Sequence, residues 1–498
     1  MAASTRNVVK RNAYFYSVAH MRSAATLNVR PEVAAASLMM GTPANQELLE
    51  EAGLLAADGQ AAGPNDLIIA VSAEEALLDA LLAEAEAALD AGAPAATGVG
   101  EQVRPRTLEQ IEGANLALIS TPGDYAAGEA LKALKLGLHV FLFSDNVPPE
   151  QELLLKEEAG RRGLLVMGPD CGTAIINGVP LGFANAVRRG DIGLVGASGT
   201  GSQEIACLVD AAGAGISQLF GVGGHDLSET IGARSMLFAL DALAADPATK
   251  VIVLVSKPPA PAVAAAVLER AATAAKPVVV NFLGARVAAS GNIHPAATLE
   301  EAAMLAAALS LGRPVSRADV RPATADLAGR LCPGRSAIRA LFSGGTFAYE
   351  AMLLLGEVKT SAGRWVPGQP IAFPPGNLVL DLGADEYTVG RPHPMIDPSL
   401  RVEFLRAALA APDSAVILLD IVLGTGSAAD PAGALVPAIR QAPGGPLVIA
   451  FVCGTAADGQ GLERQQALLR EAGAVLVPSS TAAVRLAAEV LAARGAPV

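Results

Sequence analysis

The feature that most constrains this chain is a repeating rhythm: a short β-branched apolar run, a Gly-rich turn, then an Ala- and Leu-rich helical stretch. The runs fall at 67–71, 115–119, 138–143, 164–167 and 192–195, and again at 251–255, 277–281, 377–381, 415–419, 446–451 and 474–477. Nearly all are continuous rather than alternating, as a strand must be when both faces of a parallel sheet are covered. Helical patterns such as 125–136, 150–160 and 463–471 lie between them. This alternation predicts an α/β fold: several doubly wound, mostly parallel-sheet domains of Rossmann or flavodoxin type. A chain of 498 residues is too long for one core, so the rhythm is expected to divide among about three domains.

Composition narrows the function classes. The chain is 52% hydrophobic but only 4% aromatic and 17% charged, which excludes a disordered chain; its 51 glycines follow no period of three, which excludes collagen. With 36 basic and 49 acidic residues the net charge is −13, and no Lys/Arg block interrupts it. Neither nucleic acid nor an anionic membrane is an expected partner. An anionic substrate must then be held by local devices such as helix N-termini. The four cysteines, Cys171, Cys207, Cys332 and Cys453, form no CxxC pair, so neither a metal site nor a disulfide framework is expected and a reducing compartment fits. The first residues lack a secretory apolar segment and no charge-free run reaches about 18 residues, so the expectation is a soluble, cytoplasmic protein.

Two stretches read as linkers, the Ala/Gly/Pro-rich 91–106 and the Pro- and charge-rich 312–337, with a weaker break at 185–191. The expected division is a small N-terminal α/β domain plus linker at 1–104, a first α/β domain at 105–187 and a second at 188–312. A linker at 313–337 and a third α/β domain at 338–498 complete it. The N-terminal piece is expected to be a βαβαβα unit with strands near 13–17, 34–39 and 67–71. It carries no evident catalytic motif and reads as an interface.

The chemistry concentrates at residues 193–213, where a strand runs into Ser198-Gly199-Thr200-Gly201-Ser202 and then a helix. Small residues let backbone N–H groups converge at the helix start, where the dipole favours phosphate or carboxylate, and Ser198, Thr200 and Ser202 add hydroxyl donors. No lysine follows the glycines, so this is not a Walker A loop. A second loop of the same kind, Ser343-Gly344-Gly345-Thr346, lies in the third domain. Facing each other, the two helix starts would offset roughly one negative charge between them, at about half a charge each. The alternative is two unrelated turns that use Ser, Gly and Thr to bend and cap.

The loop pair resembles succinyl-CoA synthetase and its relatives, in which two helices point their N-termini at one phosphoryl site. Similarity to the α subunit spans roughly 105–310. It is carried by Ile119-Ser120-Thr121-Pro122-Gly123, Gly168-Pro169-Asp170-Cys171-Gly172, Ser198-Gly199-Thr200 with Glu204, and Gly221-Val222-Gly223-Gly224. The β subunit's C-terminal ligase domain is similar to 338–495 through Ser343-Gly344-Gly345-Thr346, Leu380-Asp381-Leu382-Gly383, and Gly424-Thr425-Gly426 after Leu419-Asp420. One chain carrying both halves is identified as a member of the FdrA branch. The resemblance implies a CoA-binding-like Rossmann domain at 105–187 and ligase-like, flavodoxin-like domains at 188–312 and 338–498.

The chain departs from that family where phosphohistidine chemistry resides. The relay histidine's long loop after the strand at 277–283 is missing, and His294 falls at the next strand–helix junction, where a turn role is expected. No ATP-grasp pattern precedes residue 338. The first strand and Gly-rich turn that would hold the CoA nucleotide are not recognisable in 1–104, so no cofactor is assigned and CoA stays an open candidate. The resemblance implies a carbamoyltransferase subunit of the oxamate type in purine-ring (allantoin) catabolism, converting oxalurate and phosphate to oxamate and carbamoyl phosphate. The alternatives are an acyl-CoA synthetase or succinate–CoA ligase (ADP-forming)-like enzyme, and a non-catalytic scaffold. Implied partners are phosphate or carbamoyl phosphate, a small carboxylate or amide, and further carbamoyltransferase subunits or a second copy.

The remaining candidates are each open to a plainer reading. Glu204, which in the family contacts the phosphohistidine, is a candidate acid or base, or simply favours its helix N-terminus. His225, after Gly223-Gly224 at a strand end, is a candidate catalytic residue with the two glycines as substrate contacts, or a turn histidine. Gly424-Thr425-Gly426 reads as an anion-contacting loop. Arg391 and His393, in a Pro-rich run, read as carboxylate binders or a structural turn. Lys257 ends a strand and is either an anion contact or part of a solvated loop. Cys453 lacks an activating base.

Overall fold

The computed structural model of the chain describes residues 4–11, 13, 24, 26–28, 30, 32–91, 107–315, 323–363, 365, 369–388 and 391–495. It divides into two compact units, Met1–Pro105 with Asp385–Leu400, and Arg106–Ala384 with Arg401–Val498.

The smaller unit is built on β1 (Ser4–Lys10), β2 (Val33–Met40) and β3 (Leu67–Ala73), in the order β1-β3-β2 with both pairings antiparallel. β3 is a continuous apolar run because both its faces are covered. Leu67, Ile69 and Val71 pack with Leu78, Leu81, Leu82 and Leu89, while Ile68 and Ala70 pack with Leu49 and Leu54. The expected βαβαβα unit is corrected here: the sheet is antiparallel and its first strand is β1, not 13–17. Residue 13 is in no strand and 14–17 lie outside the described residues. The reason is that β1, STRNVVK, is a half-exposed edge strand, so it carries polar side chains and no apolar run.

In the larger unit, β4 (Leu116–Ile119), β5 (His139–Leu142) and β6 (Val166–Met167) form a three-stranded parallel sheet. Then come β7 (Thr173–Ile176), β8 (Val179–Gly182), β9 (Arg189–Ala197), β10 (Ile216–Gly221), β11 (Val251–Ser256), β12 (Val278–Phe282) and β13 (Ile293–Pro295). They make one seven-stranded sheet, β13-β12-β11-β9-β10-β7-β8, parallel except at the β7–β8 hairpin edge. That hairpin falls before the expected 187/188 boundary yet pairs with the second sheet through Leu219 and Ile175. Its Asn177-Gly178 turn, with both φ positive, is what a two-residue hairpin needs.

β14 (Ala337–Phe342), β15 (Leu378–Asp381), β16 (Ser414–Val422), β17 (Leu447–Cys453) and β18 (Val475–Val477) form an all-parallel sheet in the order β15-β14-β16-β17-β18. The stretch expected as a linker at 313–337 contains the helix Thr324–Arg330, which buries Leu327 and Ala328. The fold is thus α/β with several parallel sheets, each of the eleven expected runs coinciding with a strand. Among the described residues no helix is long and apolar enough to cross a membrane.

The two large sheets meet through helices. Gly199–Ala211 and Leu299–Leu311, from the seven-stranded sheet, pack against Gly345–Leu355 and Ser480–Ala492, from the five-stranded one. Gly199–Ala211 and Gly345–Leu355 both start at the carboxyl ends of parallel strands, where open α/β sheets bind ligands.

Candidate functional site

The first loop leaves β9 at Ala197, and Ser198 caps the helix that follows, its hydroxyl accepting from Gly201 N at 3.1 Å. The second leaves β14 at Phe342, with Gly344 in the cap position and no side-chain cap on its helix. The structure brings the two loops into contact: Ser198 Oγ and Thr346 Oγ1 are 2.6 Å apart and buried. Small residues make this approach possible. A Cβ on Gly344 would meet Thr200 Cγ2 and Oγ1 at 2.7 Å, and one on Gly201 would meet Thr346 Cγ2 at 3.0 Å.

The contact is closed. Ser198 and Thr346 share one hydrogen bond between their hydroxyls, and Ser202 Oγ donates to Ser198 O at 2.6 Å, so Ser202 spends its proton inside its own helix. Ser343 is also committed: its N–H donates to Asp420 at 3.0 Å and its hydroxyl at 2.6 Å. Arg401 holds that carboxylate from the other side at 2.6 Å and donates to the carbonyls of Asp420 and Leu341 as well. This buried Ser343–Asp420–Arg401 network fixes the second loop's approach to its helix.

Glu204 is buried, and its Oε1 accepts from Ser480 N at 2.9 Å. The structure therefore places this candidate acid as an acceptor for the first turn of Ser480–Ala492, the role a carboxylate plays at a helix N-terminus. Glu350 does the same from the second loop's helix. It accepts from Leu299 N at 2.8 Å, Ser480 Oγ at 2.6 Å and Thr481 Oγ1 at 3.2 Å, tying two helix starts together. Burial pushes the Glu350 carboxyl above the ordinary range despite these donors. Glu350 was missed in the sequence, although a signal existed: it follows Thr346 by four residues, as Glu204 follows Thr200, and i,i+4 places both on one helix face.

His225 is 70% exposed, with Nδ1 3.8 Å from Glu152 Oε2. Behind it lies a buried cluster that the sequence did not disclose. Lys156 Nζ donates to Glu152 at 2.6 Å, Asp226 at 2.7 Å and Val222 O at 3.0 Å, and Asp226 also accepts from Ser235 N and Met236 N. Burial holds the Glu152 carboxyl above its usual range. Gly223, at φ +86°, lies against the Gly168-Pro169 backbone, and the nearest atom to a Cβ on Gly224 would be Asp170 Oδ2, at 3.7 Å. A cleft of about 630 Å³ opens beside this cluster, lined by Lys156, Arg161, Val166, Arg234 and Phe238 among others.

Thr425 N donates to Ala184 O at 2.8 Å, Asn185 Nδ2 donates to Leu423 O and Asp458, and Gly424 and Gly426 lie against 182–185. Gly424-Thr425-Gly426 is therefore a docking strip between the sheets, its backbone already engaged. Arg391 and His393 belong to the smaller unit, where His393 Nδ1 accepts from Met395 N at 3.2 Å. His294 is a residue of β13, paired beside Val279. Cys207 and Cys453 are buried with their sulfurs 4.0 Å apart; burial raises the Cys207 pKa, and the contact with Cys207 raises that of Cys453 further. Lys257 extends from β11 to Gly345, where a Cβ would lie 3.1 Å from its Nζ.

Comparison with known proteins gives three matched families. Residues 341–490 match the CoA-ligase family, 187–284 the CoA binding domain, and 1–105 the AllF, heavy metal-associated domain. A heavy metal is held by thiolate, thioether or imidazole donors. Residues 1–105 contain no cysteine and one histidine, His20, outside the described residues. Among the described residues no group of three or more His, Cys, Asp or Glu is placed to hold a metal ion. With no cysteine, these residues offer no thiolate heavy-metal site.

The chain is 42% identical over 512 aligned residues to the uncharacterized protein YahF of Escherichia coli (strain K12), covering 98% of this chain and 99% of that one. It is 30% identical over 149 residues to the mitochondrial succinate–CoA ligase [ADP-forming] subunit alpha-2 of Trichomonas vaginalis, covering 29% of this chain and 47% of that one. Over 151 residues it is 26% identical to the ADP-forming sulfoacetate-CoA ligase subunit SauD of Bilophila wadsworthia (strain 3_1_6), covering 29% and 50%.

Proposed function

Because the chain belongs to the FdrA family of succinyl-CoA synthetase-like proteins, we propose that it is the phosphate-handling subunit of an acyl-transferring enzyme. The observation that carries this reading is the 2.6 Å contact between Ser198 and Thr346, which joins two helix starts from different sheets. Charge developing on a phosphate oxygen there meets oriented dipoles that need no reorganisation. A phosphate accepting from both hydroxyls needs them about 5 Å apart, given O–H···O bonds of about 2.7 Å, so loading opens the contact by roughly 2–3 Å. Ser198, Gly199, Thr200 and Gly201 on one side, and Gly344, Gly345 and Thr346 on the other, are the groups that would line it.

In the finer reading the acyl group is carbamoyl. A phosphate oxygen attacks the carbamoyl carbon of oxalurate, the C–N bond breaks, and the departing oxamate nitrogen takes a proton, leaving carbamoyl phosphate. His225, exposed and backed by Glu152, is the candidate proton donor. Further carbamoyltransferase subunits, or a second copy, would complete such a site. The second reading is acid–thiol ligation, in which acyl phosphate passes its acyl group to CoA. The matches at 187–284 and 341–490 and the ligase relatives favour it.

One experiment separates them. The full chain is incubated with oxalurate and phosphate, with carbamoyl phosphate trapped by carbamate kinase and ADP, and in parallel with succinyl phosphate and CoA. ATP formed in the first mixture supports carbamoyl transfer. Succinyl-CoA in the second supports ligation. Silence in both, together with no phosphate binding by calorimetry, overturns the phosphate-handling reading and leaves the scaffold.

A further inference from the structure

Lys257 belongs to the first large sheet, yet its ammonium lies at a loop of the second. Its strand, β11, pairs with β9 so that Ser256 stands opposite Ala197, and Lys257 leaves the sheet beside Ser198. Asp381 ends β15, opposite Phe342 at the end of β14. From these two sheet edges Lys257 Nζ and Asp381 Oδ2 converge on the α-carbon of Gly345. A Cβ there would come 3.1 Å from Nζ and run into the Asp381 carboxylate. Lys257 is exposed and makes no hydrogen bond or ion pair with the described residues, Asp381 included.

An ammonium beside the first turn of a helix, whose own end carries about half a positive charge, adds to the positive field at that helix start, countered in the empty site by the Asp381 carboxylate on the same Gly345. The two loop helices together offset roughly one negative charge, whereas a phosphate monoester or phosphate at neutral pH carries about −1.5 to −2. We propose that Lys257 is the specificity-determining contact of this same site, the cation that takes the second charge of a phosphate dianion and so separates it from a singly charged carboxylate. The proposal rests on the phosphate-handling reading above. Asp381 faces the same space with the opposite effect: it repels the anion and keeps the empty site from being uniformly positive.

The test is calorimetric titration of the full chain with inorganic phosphate at pH 7.5, for wild type, Lys257→Met, Lys257→Arg and Asp381→Asn, each first shown to melt as wild type does. Expected are a tenfold or greater loss of phosphate affinity in Lys257→Met, a smaller loss in Lys257→Arg, and tighter binding in Asp381→Asn. Wild-type binding with Lys257→Met unchanged overturns the role of Lys257 and leaves the phosphate reading standing. Weaker binding in Asp381→Asn also overturns it, since Lys257 would then be serving the aspartate. No phosphate binding by wild type overturns both.

Discussion

Deleting either hydroxyl of the Ser198–Thr346 pair tests whether the two large sheets are joined as described. Thr346→Val keeps the side chain's shape and removes one buried hydrogen bond, while Ser198 Oγ still accepts from Gly201 N; the expected loss is about 1 kcal/mol. Ser198→Ala removes the helix cap, about 1 kcal/mol. It also strands the Thr346 hydroxyl, which is only 2% exposed, adding about 2 kcal/mol. In the double variant no hydroxyl is stranded, so the loss falls back to about 2 kcal/mol, cap plus bond. The single losses would sum to about 4, so the two positions should couple by about 2 kcal/mol, well outside the roughly 0.5 kcal/mol of independent sites. The chain's one tryptophan, Trp365, belongs to the larger unit, so its fluorescence in a urea titration follows that unit's unfolding. Additive losses would refute the contact and, with it, the placement of the two loops.

Gly344→Ala should destabilise the same unit by about 1–3 kcal/mol through overpacking against Thr200, and Thr200→Ser should relieve part of it by removing the Cγ2 methyl; urea titration of the single and double variants checks this. Glu350 has its folded-state pKa raised by burial, so the folded chain keeps a proton that the unfolded chain has released. Stability on this account is greatest below the ordinary value of 4.5 and falls as pH rises through the folded value. Glu350→Gln should flatten that fall and equal or exceed wild type at pH 7, because the serine and threonine hydroxyls can turn to accept from an amide; melting curves across pH 4–8 decide it. For the thiols, burial pushes Cys171 up to about 12 and raises Cys207, while Cys453 is raised chiefly by Cys207. Iodoacetamide at pH 8 should therefore label the partly exposed Cys332 first and the other three only on unfolding, which peptide mass mapping would show.

What the sequence determined by itself is the layer architecture and the two loops. Buried parallel strands must be apolar on both faces, so LIIAV at 67–71 or VIVLV at 251–255 declares itself without any partner. Ser-Gly-Thr loops must be small to turn, so residues 198–202 and 343–346 were legible as helix starts. Strands that depend on one neighbour were not. β1 is a polar edge, and β7 and β8 carry a local Asn177-Gly178 hairpin signal but join a sheet whose other strands come later in the chain, so no local pattern could assign their sheet. The same limit divided the site residues. That Ser198 meets Thr346 is a relation between positions 148 apart. The spending of Glu204 on Ser480, of Thr425 on Ala184, and of Ser343 on Asp420 are relations of the same kind. Residue type told which side chains could hold an anion. Only the packing of one sheet on another decided which of them were already engaged, because a hydrogen bond used to join two layers is no longer available to a ligand. Lys257, which composition leaves in a solvated loop, ends at the second helix start for the same reason.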